Sequence, residues 1–261
     1  MRSQARVRAI ALAALLAVSA CSDDGDGDTT PPADDAASID EETTDDEATV
    51  DGDEQRSAVQ RTVDLAQLDE DDLGDGWRLT NTTPAGEDDD ESPLDECVDA
   101  SYLGTFDDAT IAESDERTFT LSADTSPLPP QVSSRAEALD DATLLSQRHD
   151  VLASDDFADC IATTFQDVAT QQMVRGGGEA TVGDVEVRTD VVDVDGAESS
   201  RLSVPITLTT EGLTYELAIS ATYVDIGPLG VNLFVYGSAG TVTLEQELEW
   251  ASLLAERLAG D

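Results

Sequence analysis

Between Ser22 and Gln55 the chain places 15 carboxylates and no basic residue. Such a segment cannot bury enough apolar surface to offset the entropy lost on folding. Its β-branched aliphatics are Ile39 and Val50 alone, and Pro31-Pro32 interrupts it. A disordered acidic tether is expected there. A neutral coil of this length spans about 30 Å, and like charges extend it further. Any core must therefore come from later residues. The chain divides into a leader at 1–20, a cysteine with tether at 21–57, and one domain at 58–261.

The leader has its own pattern. Arg2, Arg6 and Arg8 precede an apolar run from Ala9 to Val18. A spanning helix needs about 20 apolar residues, so this run is too short. A positive start, a short apolar middle and small residues before a cut describe a signal peptide. Val18-Ser19-Ala20-Cys21 resembles the bacterial lipobox, although Leu is commoner than Val at its first position. That resemblance implies cleavage before Cys21 and a diacylglycerol on its sulfur. The protein would then sit on the outer face of the cell membrane, held by lipid. Ordinary cleavage after Ala20 is the alternative, because Val-x-Ala also fits the general signal peptidase.

Three cysteines are present: Cys21, Cys97 and Cys160. An odd cysteine in an exported chain is an anomaly. Lipidation of Cys21 resolves it and leaves an even pair in a compartment where disulfides persist. A Cys97–Cys160 bridge is expected, with two buried free thiols as the alternative. Two distant cysteines and the one His fall short of a four-ligand zinc site. Neither a metal nor a cofactor is expected.

The formal charge is −45, and all 13 basic residues are Arg. Nucleic acid is excluded as a partner, since phosphate binding needs clustered basic residues. Acidic substrates are repelled; cations, cationic peptides and neutral ligands are not. Asp24, Asp26 and Asp28 look like the start of a calcium loop. Thr29 stands where that loop needs Gly, and Asp35 where it needs a bidentate Glu.

Downstream of about Ser57 the pattern changes. Val63, Leu65, Leu68 and Leu73 lead into a glycine turn at Gly74-Asp75-Gly76-Trp77. Pro93 to Leu103 reads as a short helix carrying Cys97. Strands are expected at 118–123 and 131–136. A helix from Ala138 to Leu152 follows, and then one capped by Ser154 that turns Cys160 inward. Alternating strands are expected at about 183–194, 201–210, 213–225 and 229–237, with Pro205 restricting its strand to an edge or a bulge. Thr243 and Gln246 form a capping box for a last helix whose face is Leu244, Leu248, Ala251, Ala255 and Leu258. The fold class is α+β: an antiparallel sheet of about five or six strands packed by helices.

The order of these elements, Leu73-x-x-Gly76-Trp77 and the paired cysteines together resemble a group of actinobacterial lipoproteins. They are also similar to the extracellular sensor domain of some mycobacterial Ser/Thr kinases and to the Mog1/PsbP-like sandwich. Such kinase sensors usually hold two disulfides, whereas this chain can form one. The resemblance implies a surface domain that binds a small ligand, a lipid or an envelope protein, and a monomer is expected. Trp77, Tyr102 and Tyr236 are the candidate cleft residues.

Catalytic patterns are incomplete. Gly237-Ser238-Ala239-Gly240 lacks the Gly two residues before Ser, where Tyr236 stands. His149, the only His, lies in polar Gln147-Arg148-His149-Asp150 and reads as solvated or capping. Carboxylate pairs do not stand out among 58 acids. A non-enzymatic binding lipoprotein is the leading reading. A lipid carrier with an apolar cavity and an envelope hydrolase are the alternatives.

Overall fold

The structure is a computed structural model that describes residues 50–86, 97–122, 129–175, 180–183, 185–210 and 213–260. Cys21, the leader, most of the expected acidic tether, and residues 87–91, 176–178 and 211–212 lie outside them.

Helix α1 (Val50–Leu65) opens the described chain. It begins inside the stretch expected to be tether. Val59 packs against the core and Val63 is fully buried, so an apolar stripe carries the helix back into acidic sequence. Helix α2 (Glu70–Leu73) is one turn, capped by Asp69. Gly74 and Gly76 then adopt positive φ and turn the chain into strand β1 (Trp77–Thr83). Next come α3 (Ala100–Ala109), β2 (Thr110–Glu113), β3 (Glu116–Leu121) and β4 (Gln131–Leu139).

Helix α4 (Thr143–Leu152) starts later than expected, because Ala138 and Leu139 complete β4. Leu139 joins a small apolar group with Leu144 and Leu145, while Ala138 faces the opposite core. Helix α5 (Asp155–Arg175) follows, its start capped by the Ser154 hydroxyl accepting from Phe157 N at 3.2 Å.

The expected 183–194 strand is instead two short ones, β5 (Ala180–Val182) and β6 (Arg188–Val191). Both pair with the outer edge of β7 (Glu198–Thr210). β5 reaches Leu208 and β6 reaches Ser203, so Pro205 sits in the unpaired interval between them. Its missing N–H therefore interrupts neither of those ladders. Long strands β8 (Leu213–Ile226) and β9 (Leu229–Ser238) complete the sheet. Its order is β1-β3-β4-β9-β8-β7-β5, with β2 added to β4 and β6 to β7. The ladders among the nine strands of the described residues are antiparallel, and the sheet is larger than the five or six strands expected.

Helix α6 (Leu244–Ala259) ends the chain and has the expected capping box of Thr243 and Gln246. Its buried face is Glu247, Trp250, Ala251, Leu254, Ala255 and Leu258. Leu244, expected inside, is half exposed. Trp250 lies on the core face, and its ring meets Trp77 edge-on at 5.9 Å.

The fold is thus α+β, with helices on both faces of the sheet. On the first face, α1 and α6 cover Val132, Ala136, Val224, Val231, Leu233 and Val235. On the second, α4 and α5 cover the alternate residues of the same strands.

Candidate functional site

Strand β4 reads Gln-Val-Ser-Ser-Arg-Ala-Glu-Ala-Leu and is almost wholly buried. Alternation sends Val132, Ala136 and Ala138 to the first face. It sends Gln131, Ser133, Arg135 and Glu137 to the second. The register places these four opposite Tyr236, Phe234, Asn232 and Gly230 of β9. A polar stripe therefore runs along the middle of a helix-covered sheet face.

Arg135 is 2% exposed and pairs with Glu113 of β2 at 3.6 Å and Glu116 of β3 at 3.8 Å. Arg148 descends from α4 beside it. One guanidinium nitrogen donates to Glu137, and Nη2 donates to Asp225 of β8. The guanidinium also lies over the Tyr223 ring at 5.0 Å and the Phe106 ring at 5.7 Å. Burial works against its charge, but Asp225 and Glu137 outweigh burial and hold Arg148 protonated, above the ordinary arginine value. Gly230 makes room for this pair: a Cβ there would stand 2.7 Å from Asp225 Oδ1 and 3.0 Å from Arg148 Nη2.

His149 is neither solvated nor capping. It is buried, with Nδ1 2.6 Å from Ser200 Oγ and Nε2 2.8 Å from Asp225 Oδ2. The reason lies in the ladder. Glu198 faces Asp225 and Ser200 faces Tyr223, so Ser200 and Asp225 are diagonal neighbours under α4. Ser, His and Asp are the residue types of a nucleophilic triad. Here Ser200 lies within a ladder between Val191 and Tyr223, and Asp225 is shared with Arg148. The arrangement works as a buried charge network that docks α4 on the sheet.

Three neutral polar atoms on this face are buried without a hydrogen-bond partner among the described residues: Ser133 Oγ, Asn232 Oδ1 and the Tyr236 hydroxyl. Their residues are 2%, 8% and 3% exposed. Burial pushes the Tyr236 hydroxyl above its ordinary value, so it stays protonated.

The expected bridge is present: Cys97 and Cys160 are joined with their Cα atoms 5.5 Å apart. Cys97 lies just before α3 rather than within it, and Cys160 is half-buried on α5 rather than turned fully inward. The candidate cleft aromatics do not converge. Trp77 belongs to the first-face core and Tyr236 to the apolar group under α5. Tyr102 packs beside Leu139 and Leu144 and donates its hydroxyl to Leu144 O at 3.0 Å. Residue type groups these three rings, and strand register separates them. Sequence reasoning misses Ser133, Arg135, Glu137, Asn232 and Asp225. The available signal for the β4 members is a period-2 polar pattern inside a strand with no solvated face.

No family model matches the chain, and no curated protein matches it. Among solved structures, it is similar to the extracellular domain of PknH from Mycobacterium tuberculosis, at 11% identity and a TM-score of 0.39. That match covers 77% of this chain and 97% of the other. It is also similar to the Ran-binding protein Mog1p of Saccharomyces cerevisiae, at 10% identity and a TM-score of 0.20, covering 62% and 82%. At these TM-scores the likenesses carry no argument about function.

Proposed function

We propose that this chain is a lipid-anchored extracytoplasmic protein whose domain binds a small ligand without transforming it. The observation that carries the reading is the second sheet face. There Ser133, Asn232 and Tyr236 hold buried polar atoms without hydrogen-bond partners among the described residues. Buried polar groups in folded proteins are generally hydrogen-bonded to protein, ordered water or a bound molecule, and a group of them on one face supports the ligand-binding reading. The Val18-Ser19-Ala20-Cys21 leader pattern and the Cys97–Cys160 bridge support an exported location.

A non-enzymatic role fits the charge network, whose carboxylates and guanidiniums are committed to one another. A lipid carrier is less well supported. The first face, the most apolar region, is filled by its own Trp77, Trp250 and Leu254.

Mass spectrometry of the protein purified natively from its host tests the binding reading. A bound molecule that is lost on denaturation is the expected result. Cys21→Ala is expected to release the protein from the membrane fraction, and unchanged retention would count against the anchor.

A further inference from the structure

We infer that the outer side of α6 docks a cationic amphipathic helix of a partner protein. The inference stands apart from the small-ligand reading, because α6 covers the first sheet face.

Helix α6 inverts the usual division of an amphipathic helix. It buries Glu247 to 2% exposure and leaves Leu244, three residues earlier, 50% exposed. A helix that only covered a core would turn the leucine in and the carboxylate out. Leu248, one turn beyond Leu244, is also partly exposed, so the two form a short apolar row at i, i+4 spacing. An open depression lies along this side. Among the described residues it is lined by Leu244, Leu248, Ser252 and Leu253, together with Glu245, Glu249 and Glu256. A single exposed leucine is ordinary on a protein surface. A leucine row beside a depression is a shape that receives a second helix.

The charge around that row selects the occupant. Glu245, Glu249 and Glu256 are exposed, and none has an ion-pair partner among the described residues. Glu245 and Glu249 repel each other at i, i+4, and Glu256 stands toward the negative end of the helix dipole. A nearby cation relieves both costs. The stretch leading into α1 does not offer one, since Ser22 to Gln55 holds 15 carboxylates and no basic residue. A second copy in a symmetric contact would set the same glutamates against themselves. An anionic lipid surface is repelled in the same way. What fits is a partner helix whose apolar residues meet Leu244 and Leu248 while flanking Lys or Arg side chains reach the glutamates.

Fluorescence anisotropy tests this on the full mature chain carrying Cys21→Ser, which is free of lipid and needs no detergent. The probes are labelled peptides of about four helical turns. One is a Leu/Lys sequence with leucines at helical spacing, one a scrambled sequence of the same composition, and one a Leu/Glu counterpart. The amphipathic Leu/Lys peptide is expected to bind more tightly than the scrambled one. Leu244→Ser with Leu248→Ser is expected to weaken that binding about tenfold or more. Glu245→Gln, Glu249→Gln and Glu256→Gln together are expected to weaken it and to flatten its salt dependence. Removing as many exposed carboxylates from α4 and α5, by Asp150→Asn, Asp159→Asn and Asp167→Asn, is expected to change little. Circular dichroism checks the fold of each variant; the glutamate set, altered only at exposed positions, carries the test if the leucine pair unfolds. Equal losses from the two carboxylate sets, or binding insensitive to the leucine pair in a folded variant, would mean general attraction to an acidic protein and overturn the site. No binding, or preference for the Leu/Glu peptide, overturns it as well. Self-association of the unaltered chain that the leucine pair abolishes assigns the surface to a second copy and overturns the partner. The small-ligand reading is untouched by each of these outcomes.

Discussion

Under α1 and α6 the sheet presents Val132, Ala136, Val231 and Leu233; under α4 the same two strands present Ser133, Arg135, Glu137 and Asn232. Both faces are buried. The first is held mainly by apolar contact, with a buried carboxylate, Glu247, that accepts from Arg201, Ser220 and Thr222. The second holds Glu113, Glu116, Glu137 and Asp225 around two guanidiniums. Apolar burial is non-directional and tolerates small changes of shape. Paired charges demand a particular geometry and penalise the loss of either partner. The first face therefore supplies bulk stability, and the second fixes where α4 sits and leaves neutral polar atoms available.

Removing one partner on the second face breaks this comparison most sharply. Asp225→Ala leaves Arg148 with Glu137 alone and takes from His149 its carboxylate partner, and is expected to cost about 3–5 kcal/mol in urea unfolding. Replacing Glu137, Arg148 and Asp225 together by apolar residues of similar size is expected to cost far less. Equal costs for the single and triple variants would show that the pairing itself is not what matters. Next is the bridge between the Cys97 segment and α5. Cys97→Ala with Cys160→Ala is expected to lose about 4 kcal/mol, by the chain-entropy argument for a loop of this length. On the first face, Leu254→Ala opens a cavity at a fully buried site and is expected to cost about 3 kcal/mol. That loss is expected to leave ligand binding on the second face unchanged.

The smallest effect is alkaline. Burial raises the hydroxyls of Tyr223 and Tyr236 above their ordinary value of 10.0. Their protonated forms thus favour the fold. This contribution is whole below pH 10.0 and falls as the pH rises through the folded values. The thermal midpoint is expected to drop above about pH 10, and to drop less in Tyr236→Phe.

Local chemistry is legible in the residues themselves. The Thr243–Gln246 box, the Ser154 cap, the edge position of Pro205 and the Cys97–Cys160 pair are each set by one residue type or by simple arithmetic. Neighbouring elements depart from expectation where local signals compete. Ala138 and Leu139 suit a helix by type, yet pairing with β9 and β2 keeps them in a strand. Val50 begins a helix inside acidic sequence because the later Val59 and Val63 have a core to reach. The aromatic grouping of Trp77, Tyr102 and Tyr236 fails for a related reason. Residue type says that a ring will be buried, but not against which neighbour.

The acidic segment from Ser22 to Gln55 and the cysteine count determined on their own where a core could form and which thiols could pair. Composition and export pattern act through charge and covalent chemistry, which are carried by the residues themselves. The second sheet face belongs to tertiary structure alone. Arg148, His149, Ser200 and Asp225 come from three elements far apart in sequence, and strand register brings them together. A one-residue slip of that register would send each of its side chains to the opposite face.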